Sequence, residues 1–202
     1  MGFSQMSAQQ MEALQEVSLN GMDHAVCALS EFVKMSISPG GHRILGLDDA
    51  EVRTFLKEAH LAAIGINLRI TGDAEGDILI VFTRQNAAQI VDSLLSRDSS
   101  AGAVFSEMEI SCLKEVGNIL ASAYLNALGE RLKMTLVPSV PELAMDMSGG
   151  ATDIFPAKPG NSGDPSLMFE TEFSGDGGNF TGHFFLLADS GSLAAMLRNI
   201  GP

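Results

Sequence analysis

The feature that most constrains this chain is a repeat. Displaced along itself by ninety-nine positions, the sequence falls into register over two long segments. Ala13-Leu14-Gln15-Glu16-Val17 lies over Cys112-Leu113-Lys114-Glu115-Val116, and Ala28-Leu29-Ser30-Glu31 over Ala127-Leu128-Gly129-Glu130. Lys34-Met35-Ser36-Ile37 then lies over Lys133-Met134-Thr135-Leu136, with no gap. A constant offset across a helix and the strand after it points to duplication of one structural unit. A weaker echo closes each half: Gly76 to Phe82 before a helical segment, and Gly182 to Leu187 before another. Either half alone would bury little apolar surface, so the expectation is one domain over 1–202 whose halves, about 7–96 and 106–202, share a sheet.

The repeat also isolates a difference. Leu113, Val116, Leu120, Ala123 and Ala127 recur at three- and four-residue steps and predict the buried stripe of an amphipathic helix. Glu115 and Asn118 stand three apart, hence on one helix face. A carboxylate there can grip a cation, and a carboxamide can donate and accept hydrogen bonds, for instance to a water. A bare Glu-x-x-Asn is usually a solvated helix face. In the first half Glu16 matches Glu115, but Leu19 lies opposite Asn118. Asn20 is no substitute, because one residue along a helix is about a hundred degrees around it. One half looks equipped for chemistry and the other like its retired copy.

Composition narrows the function classes. The net charge of −13 over 202 residues argues against nucleic acid and anionic membrane surfaces. No stretch approaches about eighteen apolar residues, and Met1 to Gln10 lacks the layout of a signal peptide, so neither membrane insertion nor export is expected. Cys27 and Cys112 are predicted to be buried small hydrophobes in a reducing, cytoplasmic compartment. His24, His42, His60 and His183 are scattered without metal-ligand spacing, so no metal site is expected.

The elements follow in order. A helix is expected from about Ser7 to Lys34, interrupted by Gly21 at some cost, and then a strand from Met35 that stops at Pro39-Gly40-Gly41. A short helix opens at Asp48-Asp49. Leu61–Thr71 and Asp77–Thr83 read as a hairpin, followed by a helix over Asn86–Leu95 and a polar linker over Arg97–Ala101. Ser106 and Glu109 form a capping box for the second long helix, which runs to about Leu132 before a strand at Met134–Val137. The region 148–165 reads as a mobile loop. Ser166–Phe173 and Asn179–Leu187 pair across Gly175 to Gly178, a turn that lacks the lysine and the strand-to-helix setting of a phosphate loop. A helix over Ser192–Ile200 closes the chain. The fold class is α+β, layered.

Ser111, Glu115, Asn118 and Pro141 resemble the motif of the CheC family, which includes CheX and FliY: Asp or Ser, three residues, Glu, two residues, Asn, and a proline about two dozen residues on. Pro138 to Pro141 and Ala144 to Gly150 also resemble the CheC segment after the motif helix, and the likeness runs from about Met11 to Gly201. The first half departs from the motif, with Glu12, Leu19 and His42 at the serine, asparagine and proline positions. The resemblance implies an internally duplicated, mostly antiparallel sheet with two long motif helices related by a pseudo-two-fold. It also implies a chemotaxis phosphatase acting on the aspartyl-phosphate of a CheY-like response regulator. Asn118 would orient the attacking water and Glu115 would pair with the receiver's lysine, while Ser111 and Pro141 support them. The chain would need no cofactor of its own, since the receiver brings Mg2+. CheD is a further expected partner. The alternative is a non-catalytic binding module, either a CheD-binding regulator or a flagellar-switch scaffold.

Overall fold

The computed structural model describes residues 6–47, 63–97, 105–145, 166–175 and 180–200. Two helices of 26 residues dominate it, α1 (Ala8–Val33) and a second at Glu107–Leu132. Their ends match at the ninety-nine-residue offset. Ser7 and Ser106 each close a capping box, with Gln10 and Glu109 as the reciprocal partners. Lys34 and Lys133 each end their helix in the left-handed conformation, at φ 55° and 54°. A side chain that accepts the free N–H groups of the first turn fixes where each helix starts, and a left-handed residue fixes where it stops.

Between and after these helices run β1 (Ile37–Leu47), β2 (Ala63–Gly72), β3 (Gly76–Thr83), α2 (Arg84–Leu94), then α3, the helix at Glu107–Leu132, then β4 (Leu136–Pro138), β5 (Glu142–Met145), β6 (Ser166–Gly175), β7 (Thr181–Ala188) and α4 (Ser190–Ile200). One antiparallel sheet holds all seven strands in the order β1-β6-β7-β3-β2-β4, and β5 also pairs with β2. This is the layered α+β fold with a mostly antiparallel sheet that the sequence predicts. The order reads the same from either end when β1 is exchanged with β4 and β5, β2 with β6, and β3 with β7. The centre of the sheet is the β3–β7 pair, where Ile80 lies opposite Phe184.

The two long helices pack against each other and against one face of the sheet. α1 buries Leu14, Val17, Met22, Ala25, Val26, Leu29 and Val33, and α3 buries Leu113, Val116, Leu120, Tyr124, Leu128 and Leu132. Ala123, expected in the α3 stripe, is only half-buried. Gly21 is no mere interruption: a Cβ there would stand 2.9 Å from Cε2 of Tyr124, so the glycine gives the tyrosine ring its place. The ring continues onto Phe184 at 4.7 Å between centroids, and its hydroxyl meets Ser18 Oγ at 2.8 Å in the buried interior. Burial without charge holds the Tyr124 hydroxyl well above its ordinary pKa.

Other expectations need correction. β1 does not stop at Pro39-Gly40-Gly41 but runs through it, with a register irregularity between Pro39 and His42. β1 is an edge strand, so a proline that cannot donate costs no ladder bond on its open side, and the bulge absorbs the glycines. Cys27 is exposed and Cys112 half-buried, so neither is a fully buried hydrophobe; Cys27 falls outside the stripe that α1 turns inward. Helices α2 and α4 start two residues earlier than predicted, and the strand after α3 starts two later. The predicted helix after Asp48, the linker beyond Arg97, the 148–165 loop and the Asp176–Gly178 part of the last turn lie outside the described residues. Among those described, no helix is long and apolar enough to cross a membrane.

Candidate functional site

The motif helix is fixed at both ends before it presents any chemistry. At its start, Glu109 accepts the Ser106 N–H at 2.6 Å and the Arg97 guanidinium at 2.6 Å, and Arg97 also reaches Asp92 on α2. These contacts, the Ser106 N–H foremost, lower the Glu109 carboxyl to a pKa of about 2. Glu107 and Glu109 together complement the positive end of the helix. In the middle, Gly117 lies flat on β2: a Cβ there would stand 2.5 Å from Ile66 Cγ2. That close approach seats the helix between Glu115 and Asn118, and neither of these two side chains is buried.

Met108, Ser111, Glu115, Asn118 and Ser122 follow one another at steps of three and four, so they occupy one face of α3. Ser111 is exposed and donates to the Glu107 carbonyl at 2.9 Å, one turn back. It is therefore a local brace and does not reach the Glu115 carboxylate. Asn118 is half-buried, and its Oδ1 takes a long 3.5 Å contact from Ser122 Oγ. Glu115 is exposed, and among the described residues no cation lies within ion-pair reach of it.

Pro141 arrives from the sheet edge. Ile66, beneath Gly117, pairs with Leu143 of β5, two residues past the proline, which brings the 139–141 loop beside the motif turn of the helix. The loop is pinned by Ser139, whose Oγ accepts the Arg69 N–H at 2.9 Å and whose N–H donates to the Arg69 carbonyl at 2.8 Å. So Glu115, Asn118 and the segment carrying Pro141 share one side of the molecule.

The first-half positions are placed differently. Glu16 is exposed and ion-paired to Arg131, near the end of α3, at 3.1 Å. Leu19 is half-buried. His42, the counterpart of Pro141, sits in the β1 irregularity with Nδ1 2.7 Å from Thr171 Oγ1, and burial lowers its pKa despite nearby Glu170. Sequence reasoning missed Arg131, because nothing local links residues 115 positions apart, and missed the packing role of Gly117. Among the described residues no group of three or more His, Cys, Asp or Glu is arranged to hold a metal ion.

No family model matches the chain. It is 27% identical over 205 residues to the CheY-P phosphatase CheC of Bacillus subtilis strain 168, covering 98% of this chain and 97% of that protein. The fold is shared with FliY of Thermotoga maritima (TM-score 0.71, 16% identity, 97% of this chain and 98% of that one). It is also shared with a chain of the FliG–FliM complex of H. pylori (TM-score 0.65, 13% identity, 96% and 100%). The chain is thus similar nearly end to end to CheC, and its layered sheet and paired long helices are found again in FliY, the likeness to the CheC/CheX/FliY family that the motif carries.

Proposed function

We propose that this protein hydrolyses the aspartyl-phosphate of a CheY-like receiver domain, with one working site on α3. The observation that carries the reading is the state of the two glutamates. Glu115 is exposed with no cation partner among the described residues, one turn from an unburied carboxamide, whereas Glu16 is already paired with Arg131. A carboxylate left unpaired beside Asn118 suits a partner that brings its own cation. The relative named CheY-P phosphatase supplies the substrate class.

An acyl phosphate is a reactive mixed anhydride, so the enzyme's task is mostly to place a water in line behind phosphorus. Asn118 would do this, its carboxamide accepting from the water while the amide N–H groups face the phosphoryl oxygens. Glu115 would dock against the receiver's lysine and set the register of the two proteins. Magnesium held by the receiver would neutralise charge on the phosphoryl oxygens; this chain contributes no ligand to it. Asn118→Ala is expected to lower the rate at least about tenfold with receiver binding retained, because an interaction made only in the transition state is lost. Asn118→Asp fails too, since it turns a negative charge towards the phosphoryl group. The test is phosphate release from a phosphorylated CheY-type receiver. Wild-type turnover by Asn118→Ala would refute the assignment.

A second reading is a binding module, either CheD-directed or scaffold-like, and the fold shared with the FliG–FliM complex favours it. Receiver binding with no phosphate release from the wild type would decide for it.

A further inference from the structure

Among the described residues three large apolar side chains are strongly exposed: Met108 at 66%, Val140 at 82% and Val137 at 49%. Two of them bracket the Glu115–Asn118 pair. Met108 stands two turns before Glu115 on the same face of α3. Val140 is the tip of the pinned 139–141 loop, which β5 and Ile66 bring beside the motif turn of that face. From Met108 to Ser122 the face is about 21 Å long at 1.5 Å per residue.

The opposite half shows that this composition is particular to the face. At the ninety-nine-residue offset, Gln9 replaces Met108, Glu12 replaces Ser111, Leu19 replaces Asn118 and Asp23 replaces Ser122. The α1 face therefore carries three carboxylates, Glu12, Asp23 and the Arg131-paired Glu16, while the α3 face carries Glu115 with Glu107 at its rim. In a chain of net charge −13, the α3 face is thus the one an anionic, phosphorylated protein can approach without crossing a row of like charges.

We infer that Met108 and Val140 are apolar docking contacts for the phosphorylated receiver, flanking the Glu115–Asn118 pair. This rests on the phosphatase reading and adds how the partner is held. Exposed side chains of this size on an otherwise polar face lose their contact with water when a partner covers them, and an interface is anchored by a few such groups. Binding would be shared between them and the Glu115 carboxylate, leaving Asn118 free to act on the water.

The experiment uses the full chain and a phosphorylated CheY-type receiver, measuring receiver affinity as well as phosphate release. Met108→Ser and Val140→Ser, at surface sites where the fold does not depend on them, are each expected to weaken receiver binding and raise KM about fivefold, with kcat within about twofold. Val137→Ser, which removes similar exposed apolar surface elsewhere, is expected to change neither. If the wild type binds and hydrolyses while both serine variants match it in KM and affinity, the docking assignment is overturned and the phosphatase reading stands. Equal weakening by Val137→Ser would overturn it as well, since any loss of apolar surface would then suffice. A wild type that neither binds nor hydrolyses the phosphorylated receiver removes both readings.

Discussion

Gly117→Ala tests whether the motif face carrying Glu115 and Asn118 is set by how closely α3 lies on the sheet. The added Cβ would meet Ile66 Cγ2 at 2.5 Å and Ile66 Cβ at 3.4 Å. Carbon atoms pack best at about 3.5–4.0 Å, so roughly 1 Å must be found somewhere. Ile66 cannot supply it. It is fully buried, and its strand is paired on both sides, to Ile80 of β3 and Leu143 of β5. The helix must therefore lift or rotate at the turn that carries Glu115 and Asn118. Alanine gains up to about 1 kcal/mol in helix propensity over glycine. Overpacking of a filled core costs about 1–3 kcal/mol. The difference leaves a loss of about 1–2 kcal/mol, which lowers the melting temperature of a chain this size by about 2–8 °C. The effect on turnover is larger, because a shift of about 1 Å in a positioning group can cost about a hundredfold. Thermal unfolding and phosphate release from a phosphorylated receiver, measured on the same preparation, separate the two losses. The mechanism has its own internal control. With Ile66→Ala in place the clashing methyl is gone, so adding Gly117→Ala should become neutral or stabilising, a coupling read from the double-mutant cycle. A Gly117→Ala protein as stable and active as the wild type, or one whose cost is unchanged in the Ile66→Ala background, would refute the reasoning.

Leu19→Asn in an Asn118→Ala background should leave phosphate release at background while Arg131 holds Glu16, and activity should rise only when Arg131→Ala is added; restoration by Leu19→Asn alone would show that the ion pair does not matter. Glu109 has a folded pKa of about 2, below its ordinary 4.5, so its contribution to stability is complete above about pH 4.5 and is lost as pH falls towards 2. Glu109→Gln should therefore flatten the fall in urea-unfolding stability over that window, and an unchanged acid profile would contradict the sign. Tyr124→Phe strands the buried Ser18 hydroxyl and should cost about 1–2 kcal/mol in chemical denaturation, most of it recovered by adding Ser18→Ala.

Where the sequence is legible, the signal is local or periodic. The capping box at Ser106, the β2–β3 hairpin and the α3 stripe each announce themselves over short stretches of chain. The motif face follows from helical spacing alone. What stays hidden depends on contacts across the fold. Pro39-Gly40-Gly41 reads as a terminator by composition, and only the edge position of β1 lets the strand continue through it. Gly21 looks costly until Tyr124, 103 positions later, is seen against it. The Arg131–Glu16 pair joins the two helices at a separation no local pattern can register. Cys27 is misread because apolar neighbours in sequence do not say which side of a helix turns inward.

The differences between the halves converge on one place, and that bears on what the first half has become. At three matched positions the two halves differ in contacts and not in exposure: Glu16 and Glu115 are both exposed, and Leu19 and Asn118 both half-buried. Glu16 is held by Arg131, while Glu115, whose matching position across the helix pair is Phe32, has no cation among the described residues. His42 is bonded to Thr171 inside a continuous strand, while the equivalent break at Ser139 to Pro141 splits β4 from β5 and leaves Val140 outside. Leu19 is half-buried and inert where Asn118 carries a carboxamide. Random decay of a redundant site would remove groups without supplying partners for those that remain. Here Glu16 persists and meets Arg131 across the helix pair in an exposed ion pair, a contact that Glu115 lacks among the described residues. Under the proposed receiver reading, Glu115 is the carboxylate available to a partner's cation, while Glu16 meets Arg131 of its own chain.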